Sequence, residues 1–315
     1  MAGRQRNSDR YVKKLVIATR RSRLALWQAE HVKQRLQARH PGLAVALLPM
    51  STRGDELIDR RLDEAGGKGL FVKELENALA DRRADFAVHS MKDVPAELPP
   101  GFVLAAILQR EDPRDAFVSV FHANLNSMPK AAVVGTSSLR RQAQIAERFP
   151  ALEVRLLRGN VETRLAKLDR GEYDAAILAV AGLVRLGLVQ RIRSRLDVDD
   201  SLPAPGQGAM GIECLEARNE LLSLLSSLND PVTEKCVRAE RAVSRALGGN
   251  CTLPLGAYAE PSGERLRLRA LVASLDGRRI ARADCEGTDA AELAARAVSE
   301  LRRQGADEIL SALEK

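Results

Sequence analysis

The stretch "ADFAVHSMKDVP", Ala84 to Pro95, runs from strand formers, Phe86 to His89, into Ser90, Lys92 and Asp93 before Pro95 stops any regular continuation. A carboxylate held among cations at a strand end can stay ionised, stabilise a positive charge or pass protons. The bland alternative for Asp93 is a salt bridge to Lys92 or a turn residue ahead of proline. Other strand-like runs end in a similar way. Arg20 and Ser22 follow the first; Thr136, Ser137, Ser138, Arg140 and Arg141 follow "AAVVG"; Arg158, Gly159 and Asn160 follow "LEVRLL". In α/β sheets ligands bind beyond the carboxyl ends of strands, and helix N-termini there favour anions. The pattern points to a cleft for a molecule with several anionic groups, although each hydroxyl taken singly reads equally well as a helix cap. Arg140 and Arg141 fall early in a helix, against its macrodipole, so a bound anion would offset their placement.

These residues need elements to carry them. "KKLVIATRRSRLALWQAEHV" reads as strand, polar loop and helix, with Ala25, Ala29, Val32 and Leu36 on one helical face. "AAVVGTSSLRRQAQIAERF" repeats that order, Thr136 standing to its strand as Thr19 does. "LADRRADFAV" and "LDRGEYDAAI" form a second matching pair, in which Asp85 and Asp174 open apolar strands behind amphipathic helices. Alternating helices and strands argue for two similar α/β lobes with mainly parallel sheets. "GGKGLF", Gly66 to Phe71, lacks the Walker A spacing and leaves two readings: a glycine loop, or a lid whose Lys68 reaches the ligand.

Composition narrows the partners. The 315 residues are 45% hydrophobic, enough for real cores, and 49 basic against 42 acidic residues give a net charge of +7 that favours anionic partners. With 3% aromatics the chain lacks the stacking platforms of single-strand nucleic-acid binders. The longest uncharged apolar stretch, Ala175 to Val184, falls short of the ~20 residues of a membrane helix. A cytoplasmic monomer acting on a small molecule, without nucleic acid or membrane, is the expectation. Four scattered histidines and four cysteines show no metal-ligand spacing.

After "SLPAPGQGAMGIE" the pattern changes, and the prolines and glycines there mark a segment returning to the first lobe. The expected division is 11–110 plus about 204–228 for the first lobe, 111–203 for the second, and 231–315 for a smaller α+β domain. That domain holds a helix through "TEKCVRAERAVSRAL", a hairpin around Asp276-Gly277 and a closing helix from Ala290 to about Leu313. Cys251 lies on a loop between a glycine-ended helix and a strand, where a thiol can be a buried small hydrophobe, a nucleophile or an anchor for a covalent group.

The motifs "ATRRSRLALWQ", "STRGD", "GGKGLFVKELE", "AVHSMKDVP", "VGTSSLRRQAQ", "LRGNVETRL", "LPAPGQGAMGIE" and "GGNCTLPLGAYAE" occur in the order found in the porphobilinogen deaminase (hydroxymethylbilane synthase) family, which the chain resembles from Leu15 to about Glu260. The resemblance implies two periplasmic-binding-protein-like lobes. It also implies a transferase that polymerises four porphobilinogens head to tail, releasing ammonia, on a dipyrromethane cofactor joined to a cysteine that matches Cys251. The family's aspartate matches Asp93, stabilising cationic pyrrole intermediates and moving protons. Ser90, Lys92, Thr136, Ser137, Ser138, Arg140, Arg141, Arg164 and Gln207 would bind the cofactor, and Arg20, Ser22, Lys68, Arg158 and Arg185 the substrate and growing chain. Asp63 and Glu64 depart from family members that carry a lysine beside the glycine loop. The rival class is a non-catalytic, two-lobed binder of small anions, which would leave Asp93 and Cys251 without a task.

Overall fold

In the computed structural model, which describes residues 14–56, 69, 71–249 and 253–313, the apolar runs assemble into three sheets. The chain begins with β1 (Lys14–Arg20), α1 (Arg23–Arg39), β2 (Ala44–Met50), α2 (Arg53–Glu56), α3 (Lys73–Ala80), β3 (Phe86–Ser90) and β4 (Phe102–Ile107). It crosses to β5 (Asp115–Ser119), β6 (Val133–Thr136), α4 (Leu139–Arg148), β7 (Glu153–Leu156), α5 (Val161–Asp169), β8 (Ala175–Ala179), α6 (Val180–Arg185) and β9 (Ser194–Leu196). It then returns as β10 (Met210–Leu215) and α7 (Asn219–Ser226), and continues through α8 (Pro231–Ala246), β11 (Leu255–Ser262), β12 (Arg265–Ala273), β13 (Ile280–Gly287), α9 (Ala290–Arg303) and α10 (Ala306–Ser311).

The first sheet has the order β2-β1-β3-β10-β4 and the second β7-β6-β8-β5-β9. In each, only the fourth strand in that order runs against the rest, so the sheets are mainly parallel. The two orders are one plan used twice, with β6 in the place of β1 and β8 in the place of β3. The repeat extends to single bonds. Asp85 Oδ2 accepts from Val16 N at 2.8 Å and Asp174 Oδ2 from Val133 N at 2.7 Å, each aspartate also donating its own N–H to the carbonyl of the same residue. The α1 face read from periodicity is the buried one, with Ala25, Ala29, Val32 and Leu36 against the first sheet. Phe86 and Phe117 are fully buried in the two sheets, each burial being worth about 1.5–3 kcal/mol.

The smaller unit packs α8 and α9 on the antiparallel sheet β11-β12-β13 around a separate core. Its Asp276-Gly277 turn joins β12 to β13 as the sequence suggests. Gly277 has φ +69°, and a Cβ there would lie 2.3 Å from Glu147 N and 2.8 Å from Ala143 O of α4. Glycine is required for the turn and for this contact with the second lobe. The expected single closing helix is two: Gly305, at φ +89°, ends one and begins the other, because a left-handed residue cannot continue a right-handed helix. Cys214 and Cys236 are buried and free. Cys251, Lys68, Asp63 and Glu64 lie outside the described residues.

Candidate functional site

The strand ends of both lobes, the returning segment and α8 enclose a cavity of about 570 Å³. Asp93 reaches it from a single 3-10 turn, Met91–Asp93, that follows β3 directly. Met91 N donates to Ala209 O at 3.0 Å, tying this turn to the returning segment. Gly206 presses on the same turn, since a Cβ there would lie 2.7 Å from Met91 Cβ. Among the described residues nothing hydrogen-bonds the Asp93 carboxylate, which leaves it available to a ligand. Lys92 beside it has its ammonium pushed down to about 8 by burial and then by Arg141, while Asp93 and Asp115 oppose that shift.

The second lobe lines the cavity with four arginines. Arg140 and Arg141 enter in the first turn of α4, and Arg158 and Arg164 flank the start of α5. The anion that offsets the helix-start arginines is internal. Asp115, 0% exposed at the start of β5, lies 2.9 Å from Arg140 Nη1 and 2.7 Å from Arg141 Nη2. Burial would raise the Asp115 carboxyl; the two arginines overcome that and hold it far below the usual carboxylate range. An internal carboxylate thus offsets part of the placement for which the sequence suggested a bound anion: one carboxylate faces two guanidiniums, which leaves a surplus positive charge at the cavity wall. Arg140 Nε is buried with no hydrogen-bond partner. Arg164 Nε donates to Gly159 O at 2.8 Å, and burial, then Arg141 and Arg158, push its guanidinium down to about 10.

The other sequence-derived residues divide by what they touch. Ser22 and Ser138 line the cavity and are also N-caps, accepting from Ala25 N and Arg141 N at 3.3 and 3.4 Å. Ser137 lines it too. Arg20 stacks over the Phe71 ring at 4.3 Å and is bound by Asp55 of α2, which also accepts from Thr52. Gln207 reaches the cavity while donating to Pro113 O and Asp115 Oδ1, at 2.6 and 2.8 Å, so it fastens the returning segment to the second lobe. Three candidates stand behind the wall. Ser90 accepts from Gln28 Nε2 at 3.0 Å, and Thr136 accepts from Ser138 N at 3.2 Å. Arg185 donates to Gly208 O at 2.6 Å and lies 5.9 Å from the Trp27 ring across the lobes. None of the three lines the cavity.

Sequence reasoning passed over Asp55, Asp115 and Arg241. Asp55 and Asp115 stand in "STRGD" and "REDPRDAFVS", but nothing local says which arginine each will meet. Arg241 looks like any charged residue of an amphipathic helix, yet it lines the cavity from α8 and is 8% exposed. Glu240 beside it is fully buried, receives Arg110 Nη2 at 2.8 Å and accepts from Gly206 N and Ala259 N. It joins the first lobe, the returning segment and the C-terminal sheet at one carboxylate. The donor set suits a dipyrromethane, whose acetate and propionate groups need several cations, including the unpartnered Arg140 Nε, while its ring nitrogens need a free carboxylate.

Two family models match the chain: "Porphobilinogen deaminase, dipyromethane cofactor binding domain" over residues 15–223, and "Porphobilinogen deaminase, C-terminal domain" over residues 234–303. Curated relatives named porphobilinogen deaminase include one from Burkholderia thailandensis, 59% identical over 95% of this chain and 92% of its own length. Another, from Bordetella parapertussis, is 57% identical over 96% of this chain and 97% of its own. Among solved structures, the methionine-binding protein MetQ overlaps 68% of this chain and 89% of its own with TM-score 0.45 at 12% identity. The Bordetella pertussis BvgS VFT2 domain overlaps 68% of this chain and 86% of its own with TM-score 0.42 at 17% identity.

Proposed function

Since this chain belongs to the porphobilinogen deaminase family, we propose that its cleft joins four porphobilinogen molecules head to tail with loss of ammonia, and that Asp93 carries the chemistry. The chain is a transferase of tetrapyrrole synthesis with a dipyrromethane cofactor. The single observation that carries the assignment of Asp93 is its carboxylate: it lines the cavity, is free of hydrogen bonds among the described residues, and is ringed by cations.

The bound dipyrromethane supplies the pyrrole carbon to which an incoming ring is joined, and the family's cysteine falls on Cys251. The protein's own groups do the rest. When porphobilinogen loses its amine, its ring nitrogen becomes cationic, and a fixed carboxylate beside it lowers the energy of that charge. Asp93 can then accept the proton that must leave the newly bonded carbon. Arg140, Arg141, Arg158 and Arg164 hold the ring carboxylates from the second lobe, with Arg20 and Lys92 opposite. Positioning of this kind turns a bimolecular encounter into a near-unimolecular step. The cavity boundary supports roles for Ser22, Ser137, Ser138 and Gln207 in contact with cofactor or substrate; Ser90, Thr136 and Arg185 would act from behind it.

The three-part division stated from the sequence is part of this proposal, as are monomeric action, cytoplasmic location and independence of nucleic acid and membrane. Among the described residues no helix is long and apolar enough to cross a membrane. The test is the intact mass of the protein beside Cys251→Ala, together with turnover of Asp93→Asn. Two added pyrrole units absent from Cys251→Ala, and a loaded but nearly inactive Asp93→Asn, are expected. Wild-type turnover by Asp93→Asn would remove that residue from its role.

A further inference from the structure

Asp93 is followed by a piece of backbone with unusual support. β3 ends at Ser90 and β4 begins at Phe102, so Val94, Pro95 and Ala96 have no strand partner in the sheet. Pro95 and Ala96 also form a partition between two cavities. The main cavity lies on one side, and a second cavity of about 600 Å³, bounded by α3 and the end of α8, lies on the other. Buried carbonyls without partners are costly, and here one side chain satisfies three in succession. Arg241 of α8 donates through Nη1 to Val94 O at 3.1 Å and through Nη2 to Pro95 O at 2.7 Å and Ala96 O at 3.2 Å.

The end of the same helix holds this segment as well. Arg245 Nη2 donates to Ala96 O at 3.3 Å, and Ala96 N to Gly249 O at 3.4 Å, two residues before Cys251. Gly249 is close enough that a Cβ on it would lie 3.1 Å from Ala96 Cβ. Burial and then Arg245 push the Arg241 guanidinium down to about 10, while Glu213 of β10 favours its charge. Glu213 in turn lies 2.8 Å from His89, though the contact is not aligned as a hydrogen bond. A cation kept charged at this depth, with its forked donors on three successive carbonyls, acts on the backbone and not merely on the cleft potential.

We propose that Arg241 is a positioning residue for the reaction. By anchoring Val94 to Ala96 it sets where the Asp93 carboxylate stands relative to the group carried on Cys251. The inference rests on the reading of Asp93 given above. Lysine has a point charge where arginine has a planar fork, so Arg241→Lys cannot bond all three carbonyls in the same geometry. A displacement of about 1 Å in a reacting group costs on the order of 100-fold in rate.

The experiment measures kcat, KM for porphobilinogen and intact mass for Arg241→Lys, Asp93→Asn and the double variant. Arg241→Lys is expected to load the cofactor and keep KM within about threefold, while kcat falls roughly 10- to 100-fold. In the Asp93→Asn background the same substitution should slow the residual rate by no more than about twofold, because residues acting as one unit do not add. A raised KM at unchanged kcat would make Arg241 a carboxylate clamp and overturn the proposal, as would loss of the cofactor mass or wild-type kcat. If Arg241→Lys does not fold, Gly249→Ala pushes the same segment from the other side, and an unchanged kcat there also overturns it. The two readings fail separately. An active Asp93→Asn defeats the premise, whereas an inactive Asp93→Asn beside a wild-type-like Arg241→Lys defeats only this inference.

Discussion

The two lobes share a sheet order yet neutralise buried acid in opposite ways. In the second lobe Asp115 is held as an ion between Arg140 and Arg141. In the first, Glu76 of α3 and Glu213 of β10 are buried together, and burial, then Glu213, push the Glu76 carboxyl up to about 7 against the opposing pull of His89 and Lys73. One carboxyl is stabilised by giving up its proton and the other by keeping it. The lobes also differ at the strand end that faces the cleft. Asp93 lies eight residues after Asp85, and the residue eight after its counterpart Asp174 is Gly182, buried in α6. At this place the duplicated scaffold presents an acid to the cavity from the first lobe and a buried glycine in the second.

That asymmetry predicts its own hierarchy of effects. Asp93→Asn should lower turnover by about 10²–10⁴-fold, the range for a lost acid-base group, with the thermal midpoint unchanged. Gly182→Ala at the corresponding place should leave turnover within a few-fold, since a Cβ there meets only Leu24 Cδ2 at an ordinary 3.6 Å. Asp115→Asn leaves two buried guanidiniums without their carboxylate and should cost about 3–5 kcal/mol, read from urea unfolding at pH 7. Because the folded-state pKa of Asp115 is depressed, its contribution is present above the unfolded carboxylate range and is lost as pH falls; the deficit of the variant should narrow in acid.

Glu76 titrates with the opposite sign. Its folded pKa is raised, so the native state holds a proton that the unfolded chain has released, and stability falls as pH rises from the unfolded value near 4.5 through about 7. Glu76→Gln should therefore be more stable than the parent at pH 8, by up to about 3 kcal/mol, and nearly equal to it at pH 5. Unfolding midpoints that do not diverge between these pH values would refute the first-lobe half of the comparison. The smallest effects concern what the lobes share. Asp85→Ala and Asp174→Ala remove equivalent acceptors and should each cost about 1–3 kcal/mol, with Asp85 the dearer because it also binds Arg218 at 2.9 Å.

Much of this was legible along the chain. Helix faces followed from periodicity, the lobes from internal repetition, and the Asp276-Gly277 hairpin from turn chemistry, all of them short-range signals. The strand-end clusters, Asp93 above all, were legible because a polar knot after a buried strand has few structural uses. Asp115, Asp55 and Arg241 were not. Asp115 lies 25 residues before Arg140 and Arg241 lies 145 residues after Ala96, and no local pattern encodes such a pairing. The break at Gly305 was missed because a lone glycine in a helical pattern does not declare whether its φ will be positive.

The sequence by itself determined the α/β elements, their duplication and which polar residues, Asp93 among them, stand at the strand ends, since each depends on residue type and spacing over a turn or a strand. Only the tertiary structure decided which cations remain available to a ligand and which are spent on the protein. That depends on where distant carboxylates and carbonyls arrive once the sheets close. Arg185 is tied to Gly208, and Arg241 to the three carbonyls beyond Asp93. A guanidinium's role is set by the acceptors within about 3 Å of it, and folding chooses those.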